Sequence, residues 1–328
     1  MNNKIIHLIN PMIDPNGGSE NRTIDLKMLL SKSHQVKIWS DRKPSPVLKM
    51  RTKIHRIRWP FIVPRGGTLV FVGAYFKVGK WISRCNPSRV IVIFNTHEPE
   101  NLYRLLNILK KYNLGEKVEI VYSSKLMKDQ ISIPGIPGVI HSSPIDITRF
   151  TPKAIKEQNS RFTVGRLSRD ILNKHHPDDI LLWQSLAEIG IKVRLMGATC
   201  LEQQIQKNEL IEILPAGAVD TKDFLHTLDA FIFRTDSDIF IETFGRVIFE
   251  AMACGLPVIC GQQGGYTERI KNGTDGFLFD SNSTAIELIL KLKANPALVD
   301  KISKAARLTI ENMYSEEEIE KMRLFYTS

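Results

Sequence analysis

Short β-branched runs alternate with helical patterns along this chain, and they do so twice. In the first half, residues 5–9, 36–39, 90–94, 118–122 and 138–141 read as strands, with amphipathic segments such as 20–30 and 101–111 between them. The second half restarts the same grammar at 161–164, 192–196, 211–214, 230–233, 257–260 and 276–279. Strands this apolar, separated by helices, are what a parallel sheet covered on both faces requires. The expected fold class is α/β, with two Rossmann-like, doubly wound domains and a ligand cleft between them at the carboxyl ends of their strands. A polar stretch at 142–160, with Pro144 and Pro152 and little periodicity, is the expected linker. A length of 328 residues fits two domains at roughly 100–200 residues each.

Composition excludes several other classes. With 43% hydrophobic and 24% charged residues the chain is neither a disordered polymer nor a fibre. Cys85, Cys200, Cys254 and Cys260 form no CxxC pair and no zinc-ligand spacing, so they read as buried thiols in a reducing cytoplasm. The N-terminal apolar run stops at Asn10-Pro11, too short for a secretory signal, and the longest apolar stretch, 69–76, falls far below the roughly 20 residues that span a bilayer. A cytoplasmic protein is expected, with membrane contact at most peripheral. The formal charge is +10, from 45 Lys and Arg against 35 Asp and Glu. It is unevenly spread: residues 1–150 carry 24 basic and 10 acidic side chains, so the whole excess lies in the first half.

Three loops carry the candidate chemistry. Gly17-Gly18 follows the first strand and precedes a helix, where close backbone approach and a helix N-terminus suit a phosphate, although a plain strand-to-helix turn has the same composition. Arg166, Arg169 and Lys174 follow the first strand of the second half, where cations in a loop could neutralise a diphosphate or be ordinary solvated charges. The third segment is Ile241-Glu242-Thr243-Phe244-Gly245-Arg246-Val247-Ile248-Phe249-Glu250-Ala251-Met252-Ala253-Cys254-Gly255. Glu242 and Glu250 lie eight apart, which is about two helical turns and one helix face. Carboxylates in an otherwise apolar helix need polar partners, and sugar or ribose hydroxyls would supply them. The helix is expected to end at Cys254-Gly255, with Pro257 opening the next strand.

These residues resemble a family. Glu242 to Glu250, running into Glu-Ala-Met-Ala-Cys-Gly-Leu-Pro-Val, is similar to the E-x7-E signature of retaining GT-B glycosyltransferases, family 4. Gly17-Gly18-Ser19-Glu20, Thr96-His97-Glu98, Val164-Gly165-Arg166-Leu167, Gly264-Gly265-Tyr266-Thr267-Glu268 and Asn272-Gly273-Thr274-Asp275-Gly276 resemble the family's other loops, in order. The resemblance implies a GT-B fold: an acceptor-side domain at 1–145, a donor-binding domain at 146–310, and a segment 311–328 crossing back to the first. It implies transfer of a sugar from a nucleoside diphosphate sugar to a glycan or glycolipid hydroxyl, with retained configuration, no cofactor, no metal and no assigned nucleophile. Glu250 would accept from the ribose, Glu242 would lie near the donor sugar, and Arg166 and Lys174 would hold the pyrophosphate. Amides at Phe244-Gly245 and Gly17-Gly18 would assist, and His97 would contact the transferring sugar. A nucleotide-sugar epimerase or hydrolase on the same scaffold is the alternative within the family.

Departures are visible. The Arg166-to-Lys174 spacing is longer than the family's usual one, which leaves Arg169 as a substitute, and Ser143-Pro144-Ile145-Asp146 stands where Asn-Gly-Val-Asp is common. Asp236-Ser237-Asp238 matches the metal motif of a different glycosyltransferase fold and reads here as a solvated loop, and His175-His176 beside Asp178-Asp179 reads as surface. The basic first half has Lys49, Arg51, Lys53, His55, Arg56 and Arg58 before Trp59-Pro60-Phe61, then an apolar stretch at 69–82 in which Lys77, Lys80 and Arg84 share a helical face beside Phe71, Tyr75, Phe76 and Trp81. That is the composition of a helix lying on an anionic membrane surface, and equally of core aromatics beside a wet face; with the acceptor-side first domain that the resemblance implies, it points to an anionic or lipid-linked acceptor. A basic module on a duplicated α/β fold that binds nucleic acid or another polyanion is the rival reading, without a recognisable nucleic-acid motif in the basic segment.

Overall fold

The computed structural model describes residues 5–75, 78–153 and 161–328. Two compact units are present, Met1–Ile145 with Glu316–Ser328, and Asp146–Ser315. In the first, the described residues form a parallel sheet of β1 (Ile6–Ile9), β2 (Val36–Ser40), β3 (Ile54–Arg56), β4 (Thr68–Val72), β5 (Arg89–Phe94), β6 (Val118–Tyr122) and β7 (Gly138–Ile140). Their order is β3-β2-β1-β4-β5-β6-β7, so the winding direction reverses between β1 and β4. Helices α1 (Gly18–Leu30), α2 (Pro46–Arg51), α3 (Pro99–Lys111) and α4 (Lys125–Ile131) connect them. Alternation along each strand sends Phe71, Val92 and Tyr122 to one face, where α3 buries Leu102, Leu105 and Leu109. Leu8, Val70 and Ile91 go to the other face and meet Leu26 and Leu30 of α1.

The second unit repeats the plan with β8 (Thr163–Leu167), β9 (Lys192–Met196), β10 (Ile211–Leu214), β11 (Ala230–Phe233), β12 (Val258–Gly261) and β13 (Phe277–Phe279). Its order, β10-β9-β8-β11-β12-β13, reverses between β8 and β11. The sheet is flanked by α5 (Asp179–Glu188), α6 (Thr221–Leu225), α7 (Arg246–Ala253), α8 (Asn282–Ala294) and α9 (Pro296–Met313). Arg307 of α9 donates to the carbonyls of Phe150 and Ala253, at 2.7 and 2.8 Å, and through Ala253 satisfies an orphan acceptor at the end of α7. The remaining helix, α10 (Glu316–Thr327), packs Met322 and Tyr326 into the α1 face of the first sheet. Arg89 anchors it, pairing with Glu119 at 2.6 Å, stacking on Phe325 and donating to the Phe325 carbonyl.

Two expectations change. The apolar stretch at 69–82 is no surface helix: β4 supplies its start, Thr68–Val72 is buried at the sheet's centre, and Trp81 and Ile82 belong to the core. Val, Phe and Thr in a β-branched and aromatic run favour the strand, and pairing with both β1 and β5 fixes it. Lys80 and Arg84 lie on a short 3-10 turn, while Phe76 and Lys77 lie outside the described residues. The strand expected at 161–164 runs on to Leu167, because Arg166 and Leu167 pair with Leu195 and Met196 of β9. Arg166 is therefore a strand residue and no loop cation. Of the expected linker, 154–160 lies outside the described residues.

One histidine is buried and a second half-buried in the first unit. His7 on β1 accepts from Trp39 Nε1 at its Nδ1, 2.9 Å away, and its Nε2 faces the Arg65 carbonyl at 3.2 Å. His141 packs edge-on against Phe325 of α10. Burial lowers each from about 6.5 to about 4. The unfolded chain thus takes up the protons first, so stability is intact above about 6.5 and is lost as pH falls toward 4. Each ring contributes at most about 1.4 kcal/mol per pH unit in that window. The melting temperature should therefore drop between neutral pH and the low end of that window, and the drop should be shallower in His7→Gln; a flat profile would contradict the assignment.

Candidate functional site

Ligands of doubly wound sheets bind where the strand order reverses, at the carboxyl ends. In the second unit that point lies between β8 and β11, and a buried charge cluster occupies it. Arg166, near the end of β8, donates from Nη1 to Asp179 Oδ2 at 2.7 Å and to the Arg234 carbonyl at 3.2 Å. Its Nη2 donates to the Lys174 carbonyl. Arg234, just past β11, places Nε 2.6 Å from Asp179 Oδ1 and Nη2 2.6 Å from Asn282 Oδ1 at the start of α8. One carboxylate, in the first turn of α5, thus spans two guanidinium groups.

Lys174 continues the cluster. Its Nζ lies 2.8 Å from Glu242 Oε2 and 3.6 Å from the centroid of the Phe240 ring. Glu242 Oε1 also accepts from the Gly245 amide at 3.3 Å. Burial alone would raise the Glu242 carboxyl, but the Lys174 charge and the amides of Gly245 and Phe244 win and hold it below its usual range. Three cations, Arg166, Lys174 and Arg234, face two anions, Asp179 and Glu242, at side-chain exposures from 0% to 17%. A surplus positive charge this buried is costly without an anion beside it. Arg166 Nε is buried with no hydrogen-bond partner among the described residues.

Glu242 and Glu250 do not share a helix face. Gly245 adopts a left-handed φ of 79° and α7 starts only at Arg246, so Glu242 sits in the preceding turn. A side chain at 245 would also strike Ile248 and Tyr266. Phe244 is buried against Phe249, with ring centroids 4.7 Å apart, and this packing aims the amide end of α7. Glu250 is buried inside α7 and accepts from Arg246 Nε at 2.7 Å, one turn earlier. The helix ends as expected: the Gly255 and Leu256 amides return to Met252 and Ala251.

Asp179 and His175 were expected at the surface, and both are buried. His175 Nε2 lies 3.0 Å from the Gly197 carbonyl, and burial lowers this imidazole to about 3, so it is neutral. His176 and Asp178 do remain nearer solvent. Sequence reading also missed Arg234 and Asp170. Asp170 accepts from the amides of Thr199 and Ala216 at 2.6 and 2.7 Å, tying together the turns after β8, β9 and β10. The available signal is position, since Arg234 directly follows β11 and Asp170 lies three residues past the end of β8. Asp236 Oδ1 accepts from the Asp238 amide at 3.0 Å, a local turn. Among the described residues no three His, Cys, Asp or Glu side chains gather as a metal site.

In the first unit, Gly17 caps α1 and His97 lies in the bend between β5 and α3, both at the carboxyl edge of their sheet. The space above Gly17 is occupied by the chain itself: a Cβ there would meet Glu20 Oε2 at 2.1 Å, whereas Gly18 faces open space. Glu20 is buried, which raises its carboxyl, and accepts from Ser19 Oγ at 2.8 Å.

Residues 145–309 match the family described as Glycosyl transferases group 1. The chain belongs to that family. Among curated relatives, the capsular polysaccharide biosynthesis glycosyltransferase CapM of Staphylococcus aureus is 25% identical over 225 residues, 63% of this chain and 58% of CapM. Sucrose synthase 1 of Oryza sativa subsp. japonica is 34% identical over 82 residues, 23% of this chain and 10% of that enzyme. Among solved structures, Anabaena Alr3699/HepE in complex with UDP-glucose superposes with a TM-score of 0.73 at 15% identity, over 98% of each chain. WaaG, a lipopolysaccharide-biosynthesis glycosyltransferase, gives 0.68 at 12% identity over 98% of this chain and all of its own. The fold of this group 1 glycosyltransferase family member is accordingly GT-B, an α/β architecture of two Rossmann-like units.

Asp179 holds the family member's charge cluster, so Asp179→Ala should cost about 3–5 kcal/mol in urea unfolding by leaving two buried guanidiniums unpaired. A loss below about 1 kcal/mol, the range of an exposed pair, would show that the cluster is solvated.

Proposed function

We propose that this protein is a retaining glycosyltransferase that moves a sugar from a nucleoside diphosphate sugar to a hydroxyl of a glycan or glycolipid acceptor. The observation that carries the reading is the surplus buried cation at the switch point of the second sheet. Breaking the bond between sugar and diphosphate builds negative charge on the leaving oxygen, and cations fixed in a dry site stabilise that charge without reorganising. Arg166 and Lys174 hold the pyrophosphate, with the Phe244 and Gly245 amides at the start of α7 adding their dipoles. Glu242 orients Lys174 and lies toward the donor sugar. Glu250 receives the ribose hydroxyls, exchanging part of its contact with Arg246 for them.

Of the first unit's residues, the Gly17 and Gly18 amides assist with the pyrophosphate and His97 contacts the transferring sugar, with Gly18 the glycine whose space is open. The leaving group is stabilised by these fixed charges with no metal required, and no protein nucleophile is assigned. A uridine nucleotide is favoured as donor because HepE binds UDP-glucose and TarM was solved with UDP. Polysaccharide or glycolipid assembly is favoured by the roles of CapM and WaaG.

The test is turnover with a panel of nucleoside diphosphate sugars and acceptor glycans, following both released nucleoside diphosphate and sugar incorporated into product. Lys174→Ala should lower kcat about 10²–10³-fold, the usual effect of removing one fixed group from a developing anion. Glu250→Ala should act mainly on KM, because ribose contacts are made equally in ground and transition states. NMR of the product should show the donor's anomeric configuration. Nucleotide release without incorporation would mark a hydrolase, and full turnover by Lys174→Ala would overturn the assignment of the cluster.

A further inference from the structure

Between Asp41 and Glu98 the chain carries 12 Lys and Arg residues and not one carboxylate side chain. Within that run a tight turn leaves the first unit. Ile57 and Val63 are buried in its core and fix the two ends. Between them Arg58 and Ile62 form an antiparallel bridge, with Arg58 N donating to Ile62 O and Ile62 N to Arg58 O, each at 2.8 Å, and Phe61 N donating to Arg58 O at 3.0 Å. The turn presents its apolar side chains outward: Phe61 is 81% exposed, and Trp59 and Ile62 are each 46% exposed. Arg84 lays its guanidinium 5.1 Å from the Trp59 ring centroid and donates to the Pro60 carbonyl at 3.2 Å. Arg56, Arg58 and Arg65, which flank the turn in sequence, are exposed, as is Lys80, one turn before Arg84.

We propose that this turn docks the protein on an anionic lipid surface. Scattered exposed apolar residues are ordinary, but three in one five-residue turn, ringed by cations, form an amphiphilic tip. The cross-turn hydrogen bonds matter here. They satisfy backbone groups at the base of the tip, so Phe61 and Ile62 can enter the acyl boundary with little loss of backbone hydration. Trp and Arg are suited to the headgroup level, where a ring lies in apolar surroundings and a guanidinium meets phosphate. No carboxylate in the run opposes the negative surface potential. A polyanion such as nucleic acid or an acidic glycan would satisfy the cations and leave Phe61 and Ile62 without an apolar partner. A second copy, meeting through the same patch about a twofold axis, would set the two cation groups against each other.

Sedimentation with vesicles of phosphatidylcholine alone, and of phosphatidylcholine with phosphatidylserine, tests this on the full chain. Binding is expected only to the anionic vesicles at low salt. The pair Trp59→Ser and Phe61→Ser should lower the partition coefficient about tenfold or more, by removing the inserted carbon. Arg58→Gln and Arg84→Gln should each lower it about fivefold. Because Trp39, Trp81 and Trp183 are buried, Trp59 is the exposed tryptophan, and its emission should shift to the blue when anionic vesicles are added. This reads insertion in the unaltered protein, whatever the variants do. Absence of vesicle binding, or equal binding to both compositions, would overturn the proposal. So would binding that survives the Trp59 and Phe61 changes, retention only on heparin or single-stranded DNA, or a Phe61-dependent dimer without vesicle binding.

Discussion

One carboxylate, Asp179, accepts from two buried guanidinium groups, and the arrangement of the carboxyl edge of the second unit's sheet follows from it. Arg166 comes from the end of β8 and Arg234 from the residue after β11, the two strands on either side of the reversal in sheet order. Pinning both to the first turn of α5 fixes the separation of the loops that leave those strands. The Lys174 carbonyl then receives Arg166, which points the lysine side chain to Glu242 in the turn before α7. Breaking such a buried pair on one side leaves an uncompensated charge, so the network behaves as one object. Its surplus positive charge, among the described residues, links the packing to the proposed chemistry, in which an anionic ligand would balance the cluster.

The two halves of the molecule divide charge as well as structure. All the excess basicity is in residues 1–150, while the second unit holds Arg166, Lys174 and Arg234 in a buried cluster. Buried cations can discriminate a diphosphate by geometry, and exposed ones act at the range of a Debye length on any anionic surface. The +10 net charge therefore says little about that cluster. It reflects mainly the carboxylate-free run around β3 and β4, where the amphiphilic turn projects.

The α/β class, the repeat of the plan and the strand positions were legible because buried parallel strands leave unbroken apolar runs, as at Val90 to Phe94 and Val118 to Tyr122. Thr68–Val72 was hidden by the apolar residues that continue past it, since a strand followed by core-packed turn residues has the same content as a helix. Glu242 and Glu250 were found through their spacing, yet the helical reason was wrong. Gly245, with its left-handed φ, stands just before the first turn of α7 and leaves Glu242 outside the helix. Lys174 was doubtful by spacing and is the cation that meets Glu242, because the 3-10 turn at Leu172–Lys174 takes up the additional residues. Asp179 and Arg234 could not be found by periodicity at all, since a buried charge looks like a surface charge until its partner from another strand is known.

The most direct test is calorimetric titration of the protein with a nucleoside, its monophosphate and its diphosphate. A cluster carrying one uncompensated buried cation predicts affinity rising steeply along that series. It also predicts that the diphosphate's advantage disappears in Lys174→Ala, while that variant retains its native circular dichroism. Equal affinity for nucleoside and diphosphate, or an advantage unchanged in Lys174→Ala, would contradict the claim that these residues form a diphosphate site.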